Sequence, residues 1–401
     1  MNVGVVGAGI FGVAAALELR IRGHDVTLYE QGKVPSEKAS STDVSKVMRR
    51  DGYGPSETYL ELLRRSAEKW QVWHDQMGKG LYFQTGKVVI YRDFRPGTKS
   101  YDAWSFLGGW GPQIELLTPQ EARIRFPQLT YLDTDICVHD PWAGYVATGQ
   151  TVEVLGKLAR DEGVIVREDT PITHVEDSPS GVKVAVDGGQ VDLDRVVIAT
   201  GAWMGRLVPQ LDSRLRVSRH HIALVRPADP DLFAHGRLPV WSINEDLSPD
   251  EPDWEVGWYG FPLLQGGIVK LCSAEPGEVV DAGVERDSTP EFVESMWEFV
   301  ARRLPALTGG KLVESRTCLY TETPDRDFVI DWMPGSQRVL LAGGGSGHGG
   351  KFGGSIGPVI ADALEDKHNP LGDRFRLGSR FTRADRSQEP SRGFARPTAF
   401  S

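Results

Sequence analysis

The chain has 401 residues, of which 40% are hydrophobic and 25% charged, a composition typical of a globular enzyme with one large domain or two interleaved ones. Its formal net charge of −10 argues against a nucleic acid or an anionic membrane as a partner. No apolar run approaches the roughly 20 residues of a membrane-spanning helix, no basic leader precedes the first strand, and three cysteines are too few for a disulfide framework or a zinc site. We therefore expect a cytoplasmic protein that holds no metal.

The first thirty residues carry the strongest local pattern. An apolar strand leads directly into the glycine turn Gly7-Ala8-Gly9-Ile10-Phe11-Gly12, which opens a helix. Gly7 allows a tight turn, Gly9 lets a pyrophosphate approach the backbone, and Gly12 lets the helix pack closely on the strand. Glu30 ends the second strand, where an acid accepts a hydrogen bond from a ribose hydroxyl and disfavours a 2′-phosphate. The pattern predicts a dinucleotide site, and an ordinary glycine turn between strand and helix is the alternative.

The rest of the chain alternates between helical and strand periodicities. Apolar spacing predicts helices over residues 57–76, 150–161, 290–304 and 355–365. Buried or alternating strands are predicted over residues 164–166, 182–186, 196–199, 217–225, 267–273 and 339–342. The region 81–146 is rich in Trp, Gly and Pro and suggests short strands, while the tail after about residue 370 is polar and basic.

The order of these segments predicts how the chain is divided. Segments typical of nucleotide-binding folds occur at the start, in the middle and at the end, and antiparallel-looking segments lie between them. We therefore expect an α/β fold of two interleaved domains. The nucleotide-binding domain takes residues 1–85, 148–215 and 315–372, and a mixed, mainly antiparallel substrate domain takes 86–147 and 216–314. Residues 373–401 are expected to form a C-terminal arm or a disordered tail.

Two later segments also suggest a nucleotide site. The apolar run 196–199 ends in Thr200-Gly201-Ala202-Trp203, as a strand that contacts a nucleotide would. A second segment, Gly343-Gly344-Gly345-Ser346-Gly347-His348-Gly349-Gly350-Lys351, follows a buried strand and enters a helix. Its backbone N–H groups and the positive end of the helix dipole could therefore face an anion. The alternatives are a buried strand that ends in a turn and a solvated polar loop.

Five stretches together resemble a known family. They are Gly7–Glu30, Ser40–Tyr53, Tyr259–Lys270, Cys318–Asp331 and Gly343–Gly357, in that order along the chain. The chain resembles the D-amino-acid-oxidase-like superfamily of FAD-dependent oxidoreductases, and within it the monomeric sarcosine oxidase and N-methyltryptophan oxidase group. Fructosyl-amine, saccharopine and pipecolate oxidases are similar too. The resemblance implies a Rossmann-like FAD-binding domain interleaved with a substrate domain that covers the flavin ring.

The resemblance also implies how the cofactor is bound. Its sharpest part is the pattern Cys-x-Tyr-Thr-x-Thr-Pro-Asp that begins at Cys318, which implies a thioether between this cysteine and the flavin. A buried structural cysteine is the alternative. Lys46 is implied to lie near the flavin, where the sarcosine oxidases carry arginine. The implied cofactor-binding residues are Gly7, Gly9, Ile10, Phe11, Gly12, Glu30, Ser40, Ser41, Lys46, Val175, Thr200, Gly201, Trp203, Cys318, Gly345, Gly347, His348, Gly349, Gly350 and Lys351.

The same resemblance implies a catalytic set. Arg49 and Lys351 would bind a substrate carboxylate, for which the planar guanidinium fork of arginine is well suited. Lys270 would lie by flavin N5 and promote the reaction with oxygen. The remaining catalytic residues implied are Tyr259, Tyr320 and His348. Sarcosine oxidases place a histidine just after this lysine, whereas residues 271–274 here are Leu-Cys-Ser-Ala, so we expect a different substrate pocket.

The resemblance implies an FAD-dependent amine oxidase that acts on an amino acid or an N-substituted amino acid. Hydride would pass from the carbon next to nitrogen to the flavin, the imine would be hydrolysed, and O2 would be reduced to H2O2. The expected partners are a small amino-acid-like substrate and O2, with no nucleic acid and no membrane, and the protein is expected to be a monomer. The alternatives are a dehydrogenase of an amine or glycated amine that uses another acceptor, and a flavin-binding protein without catalysis.

Overall fold

The computed structural model describes residues 1–53, 56–107, 110, 112–186, 188–244, 257–275 and 277–380. Its strands are β1 Asn2–Val6, β2 Asp25–Tyr29, β3 Lys46–Met48, β4 Tyr82–Phe83, β5 Lys87–Tyr91, β6 Glu115–Leu117, β7 Ile136–Asp140, β8 Gly144–Val146, β9 Ile165–Arg167, β10 His174–Ser178, β11 Gly181–Val186, β12 Gly189–Leu193, β13 Arg195–Ile198, β14 Arg216–Arg226, β15 Val240–Ile243, β16 Trp258–Gly260, β17 Val269–Ser273, β18 Glu278–Val279, β19 Lys311–Glu322, β20 Val329–Trp332 and β21 Val339–Gly343. Its α-helices are α1 Ile10–Ile21, α2 Glu57–Met77, α3 Lys99–Phe106, α4 Pro119–Arg125, α5 Thr148–Asp161, α6 Met204–Leu207, α7 Pro290–Arg303, α8 Ile356–Leu364 and α9 Pro370–Asp373. No helix in these ranges is long and apolar enough to cross a membrane.

The first sheet has six strands in the order β20-β21-β13-β1-β2-β9. Strands β21, β13, β1, β2 and β9 run parallel, and β20 is an antiparallel edge. Strand β21 is buried at every residue, and helix α1 packs against both α5 and α8, so the inner strands are apolar because helices cover them. In such a sheet, ligands bind at the carboxyl ends of the strands.

The second sheet is larger and mainly antiparallel. Its order is β18-β14-β17-β16-β15-β5-β7-β6, and β19 pairs with β14 at one side. The two long strands β14 and β19 pair from Arg216 opposite Glu322 to Arg226 opposite Lys311. Helix α7 packs against this sheet through Phe299, whose ring stacks on Trp241 and Trp258. The outer face of the sheet is therefore covered by α7, which leaves the other face for the cavity described below.

Two three-stranded sheets complete the described fold. One is the antiparallel β10-β11-β12, and the other is β3-β8-β4. In the second, β3 pairs with β8 so that Lys46 lies opposite Val146 and Met48 opposite Gly144. This pairing fixes the segment between β2 and α2, which carries several of the predicted site residues.

The α/β fold predicted from the sequence is confirmed, and so are the strongest elements. The helices predicted over 57–76 and 290–304 are α2 and α7, and their observed bounds differ from the predicted ones by no more than one residue. The domain boundaries stay a prediction. The boundary predicted at residue 315 falls inside β19, which pairs with β14 from Lys311 to Glu322.

Residues 373–380, the first part of the predicted C-terminal arm or disordered tail, pack against the first sheet. Phe375 and Leu377 are buried, and Arg374 Nε lies 2.8 Å from a carboxylate oxygen of Asp327. Two apolar side chains and an ion pair therefore fix this stretch to the first sheet. Residues 381–401 lie outside the described residues.

The glycine turn gives a test of the helix–strand packing. A Cβ atom at Gly12 would lie 1.8 Å from the carbonyl oxygen of Gly7, whereas at Gly9 the nearest atom is Ser41 Oγ at 3.6 Å. We expect Gly12→Ala to lower the free energy of unfolding by about 1–3 kcal/mol. Gly9→Ala should be neutral or stabilise by up to about 1 kcal/mol, because alanine restricts the unfolded chain. Urea unfolding of the two variants measures the difference, and equal losses would contradict this packing.

Candidate active site

A cavity of about 700 Å³ lies between the first sheet and the second. Its volume is within the range of about 300–1,000 Å³ that small-molecule sites occupy. One wall consists of the glycine turn after β1, the segment after β13 and the glycine segment after β21. The opposite wall consists of residues from β5, β14, β15, β16, β17 and β19. The cavity therefore lies at the carboxyl ends of the parallel strands, where an α/β sheet binds its ligand.

The glycine turn lines the cavity as predicted. The residues that do so are Gly7, Gly9, Ile10 and Phe11. Gly7 has a φ of 95°, which costs glycine little and other residues much more. The Glu30 carboxylate also lines the cavity and accepts hydrogen bonds from the N–H groups of Ala8 (2.8 Å) and Gly32 (3.2 Å). Gly12 lies behind the turn, where it serves the packing of α1 on the first sheet.

Two other residues that were predicted to bind the cofactor, Ser41 and Val175, lie in different surroundings. The hydroxyl oxygen of Ser41 accepts from the Ile10 N–H at 3.1 Å, so Ser41 satisfies one of the free amides at the start of α1. Val175 was also predicted to bind the cofactor, but the structure places it on β10 opposite Val184 and not along the cavity. Residues 170–173, which precede β10, line the cavity instead.

The later glycine segment lines the same cavity. The predicted residues found there are Thr200, Gly201, Trp203, Gly345, Gly347, His348, Gly349, Gly350 and Lys351. A Cβ atom at Gly347 would lie 2.5 Å from the Tyr320 ring, and its φ is 76°, so this position requires glycine. The helix predicted over 355–365 is α8, Ile356–Leu364, and a 3₁₀ turn at Gly349–Phe352 joins the glycine segment to it. The amides next to the cavity belong to the glycine turns.

Cys318 lies just behind the cavity wall. It is 8% exposed, and its Sγ lies 3.5 Å from Lys46 Nζ and 3.7 Å from the carbonyl oxygen of Ser40. Ser40, Lys46 and the neighbouring Tyr320 all line the cavity. Although burial disfavours its charged form, Asp43 and Cys318 raise the pKa of Lys46 well above its usual value. A protonated ammonium therefore lies next to the sulfur.

One buried carboxylate, which the sequence analysis did not single out, organises the cations of this region. Asp43 is 4% exposed and binds Lys270 Nζ at 2.5 Å, Lys46 Nζ at 2.9 Å and the guanidinium of Arg316 at 3.3 Å. Burial opposes ionisation, but these three cations lower the pKa of Asp43 below its usual range. Lys270 also donates to the carbonyl oxygen of Ser45 at 2.7 Å. Asp43 therefore fixes two of the predicted site lysines together.

Two tyrosines of the second sheet face the cavity near these lysines. Tyr259 and Tyr320 line it and share a side-chain hydrogen bond. Burial raises the pKa of Tyr259 well above its usual value and that of Tyr320 to about 12. Both phenols are therefore protonated at neutral pH and can donate or accept hydrogen bonds within the cavity.

The other predicted cations lie along the cavity beyond the glycine segment. Lys351 is 4% exposed and donates to the Tyr53 hydroxyl at 2.9 Å and to the His348 carbonyl oxygen at 3.2 Å. It makes no ion pair with any carboxylate in the described residues. Burial first, and then the charge of Arg49, lower the pKa of Lys351 well below its usual value. The negative charge of an incoming anion would oppose both effects by favouring the protonated amine.

Arg49 shares its carboxylate partner with a lysine that the sequence analysis missed. Asp51 lies 3.4 Å from Arg49 and 2.6 Å from Lys87 Nζ. Asp51 and Tyr53 belong to a stretch that already matched the resembling family, so they could have been chosen. Lys87 opens the apolar strand β5, and no local pattern distinguishes it from a solvated lysine.

His348 lies beside these groups. Its Nε2 lies 2.9 Å from the Arg326 carbonyl oxygen, and its Nδ1 lies 3.4 Å from the Tyr53 hydroxyl. Burial, followed by the charge of Lys351, lowers the pKa of His348 well below its usual value. The imidazole is therefore neutral and donates to the Arg326 carbonyl through Nε2.

These groups fit FAD. One end of the cavity offers the backbone of the glycine turn and the buried acid Glu30, which suit a pyrophosphate and a ribose. Further along lie Cys318 and the cations around Asp43, which suit a ring system that becomes negatively charged on reduction. In the described part of the chain, no group of three or more His, Cys, Asp or Glu residues is arranged to hold a metal ion.

Comparisons with known proteins agree with this arrangement. The model of the DAO family, described as FAD dependent oxidoreductase, matches residues 2–363. N-methyl-L-tryptophan oxidase of Yersinia pestis is 26% identical over 377 residues, which are 92% of this chain and 95% of that protein. The solved structure of NikD, an unusual amino acid oxidase essential for nikkomycin biosynthesis, has a TM-score of 0.79 at 22% identity and covers 94% of this chain and 96% of its own. L-proline dehydrogenase from P. horikoshii has a TM-score of 0.80 at 19% identity, with coverages of 93% and 96%.

The Asp43 cluster gives a prediction of pH-dependent stability. Asp43→Asn leaves buried cations without their shared carboxylate, so we expect the free energy of unfolding at neutral pH to fall by about 3–5 kcal/mol. Because the folded-state pKa of Asp43 lies below the unfolded value of about 3.9, its contribution is present above that pH and is lost as the pH falls toward the folded-state pKa. The difference in urea midpoint between wild type and Asp43→Asn should therefore shrink between about pH 7 and about pH 3. A difference that stays constant would count against the ion-pair assignment.

Proposed function

Because the chain belongs to the DAO family of FAD-dependent oxidoreductases, we propose that it is an amine oxidase that acts on the C–N bond of an amino acid or an N-substituted amino acid. The observation that carries this proposal is Lys351, a buried cation beside Arg49 that has no carboxylate partner among the described residues. Burying the charged form of this amine without an anion is costly, so its pKa is lowered in the free site, and a ligand that supplies an anion would favour the charged form. A substrate carboxylate would do so.

The chain's own residues would bind and orient this substrate. Arg49 offers two parallel donors to a carboxylate, and Lys351 adds a third from the glycine segment. With the carboxylate fixed, the carbon that carries the amine has one accessible orientation, which reduces the entropy cost of the reaction. FAD, when bound, accepts a hydride and delivers its electrons to an acceptor. Tyr259 and Tyr320 enclose the cavity near the cations around Asp43 and help to exclude water.

The relatives support this substrate class. N-methyl-L-tryptophan oxidase and NikD are named for oxidation of an N-methyl amino acid and an amino acid, respectively. We propose that the product is an imine, which water hydrolyses, and that O2 is reduced to H2O2. Lys270 supports the oxygen step because its ammonium can stabilise negative charge that develops on oxygen. We further propose that the enzyme acts as a cytoplasmic monomer.

One observation favours a second candidate, a dehydrogenase that passes electrons to another acceptor. The Lys270 ammonium lies 2.5 Å from the Asp43 carboxylate, which offsets part of the charge that oxygen would meet. The two functions differ in a direct measurement with the purified flavoprotein and a panel of amino, N-alkylamino and imino acids. An oxidase consumes oxygen and forms equimolar peroxide, whereas a flavin that is bleached by substrate and stays bleached in air indicates the dehydrogenase.

We also propose that Cys318 holds the flavin as a thioether, which the closeness of Lys46 Nζ to the sulfur supports. Forming the bond would release one proton from the thiol and one from the flavin methyl group and leave two electrons on the flavin, which O2, the proposed acceptor, would remove. The intact mass should therefore equal the polypeptide plus FAD less two hydrogens. The flavin of wild type should stay with the acid-precipitated protein, whereas Cys318→Ser should release it into the supernatant. The control is Cys137→Ala, a buried cysteine of β7, which should retain the flavin. A wild-type mass equal to that of the bare polypeptide would rule out the linkage.

The carboxylate site predicts how acetate binds, as followed by the flavin absorbance. A charge-assisted hydrogen bond is worth about 1.5–3 kcal/mol, so Arg49→Ala and Lys351→Met should each raise the dissociation constant by about one to two decades. Arg49→Lys should not restore binding fully, because an ammonium lacks the planar fork. Lys157→Met, on the exposed face of α5, is the matched control and should bind like wild type.

The lowered pKa of Lys351 adds a pH dependence to the same measurement. The free site loses the Lys351 proton as the pH rises through this lowered pKa, so acetate should bind more weakly above it. This dependence should be missing from Lys351→Met. Acetate binding that is independent of pH in wild type, or that survives in both cation variants, would contradict a carboxylate held in this way.

A further inference from the structure

A histidine that no sequence pattern singled out lines the cavity. His220 lies on β14, and its ring stacks on the Tyr320 ring with centroids 3.8 Å apart and an interplanar angle of 21°. Its Nε2 lies 3.0 Å from the Ser218 hydroxyl oxygen. The ring is thus fixed by a stack on one of its faces and by a hydrogen bond at one of its two nitrogens.

The hydrogen-bond chain behind His220 determines its tautomer. The Ser218 hydroxyl, which is fully buried, donates its one proton to a carboxylate oxygen of Glu322 at 3.0 Å. Because that proton is used, the Ser218 oxygen can only accept from His220. Nε2 therefore carries the ring proton, and Nδ1 carries a lone pair.

The ring stays neutral across the physiological pH range. Burial, followed by the charges of Arg326, Arg216 and Lys46, lowers the pKa of His220 to about 3. Its Nδ1 makes no hydrogen bond with any of the residues that the structure describes, although His220 lines the cavity. His220 thus supplies an uncharged hydrogen-bond acceptor among the residues that line the cavity.

This acceptor complements the donors elsewhere in the cavity. Arg49 and Lys351 are donors only, so they suit the carboxylate of an amino acid but repel its ammonium. An amine that reacts must be unprotonated. Its remaining N–H needs a hydrogen-bond acceptor that does not stabilise the protonated ammonium form. A neutral imidazole with a lone pair has these properties, whereas a carboxylate would favour the ammonium.

We propose that Nδ1 of His220 accepts a hydrogen bond from the N–H of the substrate amine while Arg49 and Lys351 hold its carboxylate. This inference rests on the proposed function. His220 is then a substrate contact that selects the neutral amine, and no proton is transferred to it. Ser218 and Glu322 are positioning residues, because they act only by fixing the tautomer of His220.

The test compares two ligands of nearly equal shape in the purified flavoprotein. Pyrrole-2-carboxylate presents an N–H next to its carboxylate, and furan-2-carboxylate presents a ring oxygen at the same place. A neutral hydrogen bond should make wild type bind the pyrrole more tightly by about threefold to tenfold. His220→Phe keeps an aromatic ring for the stack on Tyr320 but removes the acceptor, so it should bind both ligands with the wild-type affinity for the furan.

A second variant serves if His220→Phe does not fold. Ser218→Ala leaves the imidazole in place but frees its tautomer, so the preference for the pyrrole should fall while the affinity for the furan stays the same. Equal binding of the two ligands to wild type, or an unchanged preference in the two variants, would overturn the role of His220. If neither carboxylate binds to wild type, the proposed function fails as well. If both bind equally well, only the role of His220 fails, so the two failures can be distinguished.

Discussion

The ion pairs of one buried carboxylate are the constraint on which the rest of the site depends. Asp43 belongs to the segment between β2 and α2, and it joins Lys46 of β3, Lys270 of β17 and Arg316 of β19. Its backbone carbonyl also accepts from the Gly149 N–H at the start of α5. Three cations at this distance would repel one another strongly in a buried site. The carboxylate therefore ties the segment between β2 and α2 to the second sheet beside the cavity.

The charges on the two sides of the cavity are balanced differently. Around Asp43 the cations already have a protein carboxylate, whereas Lys351 has none in the described part of the chain and Arg49 shares Asp51 with Lys87. In the proposed function, a substrate carboxylate would complete an ion pair with the second group. The first group would then act on the cofactor, so that one cavity would bind an anion and stabilise a second negative charge.

Local patterns in the sequence predicted the parts of the site that depend on neighbours in the chain. The glycine turn at Gly7 and the acid Glu30 were predicted because spacing alone defines them, and Lys270 and Lys351 were predicted from the resemblance. Asp43 and His220 were not, since their roles come from partners on strands far away in sequence, and strand register cannot be read from one strand. The role predicted for Val175 stays a prediction, and the structure places this residue on β10, just after the residues 170–173 that line the cavity.

The flavin midpoint potential of Asp43→Asn tests most directly whether this cluster lies beside the flavin. Removing the one negative charge leaves a more positive cluster, which should favour the anionic reduced flavin. We expect the potential to rise, by about 30 mV for each tenfold change in the reduction equilibrium. The control is Asp51→Asn, which removes a buried carboxylate that binds Lys87 in the same cavity and should shift the potential less. A potential that is unchanged or lower in Asp43→Asn would contradict the placement of the flavin against this cluster.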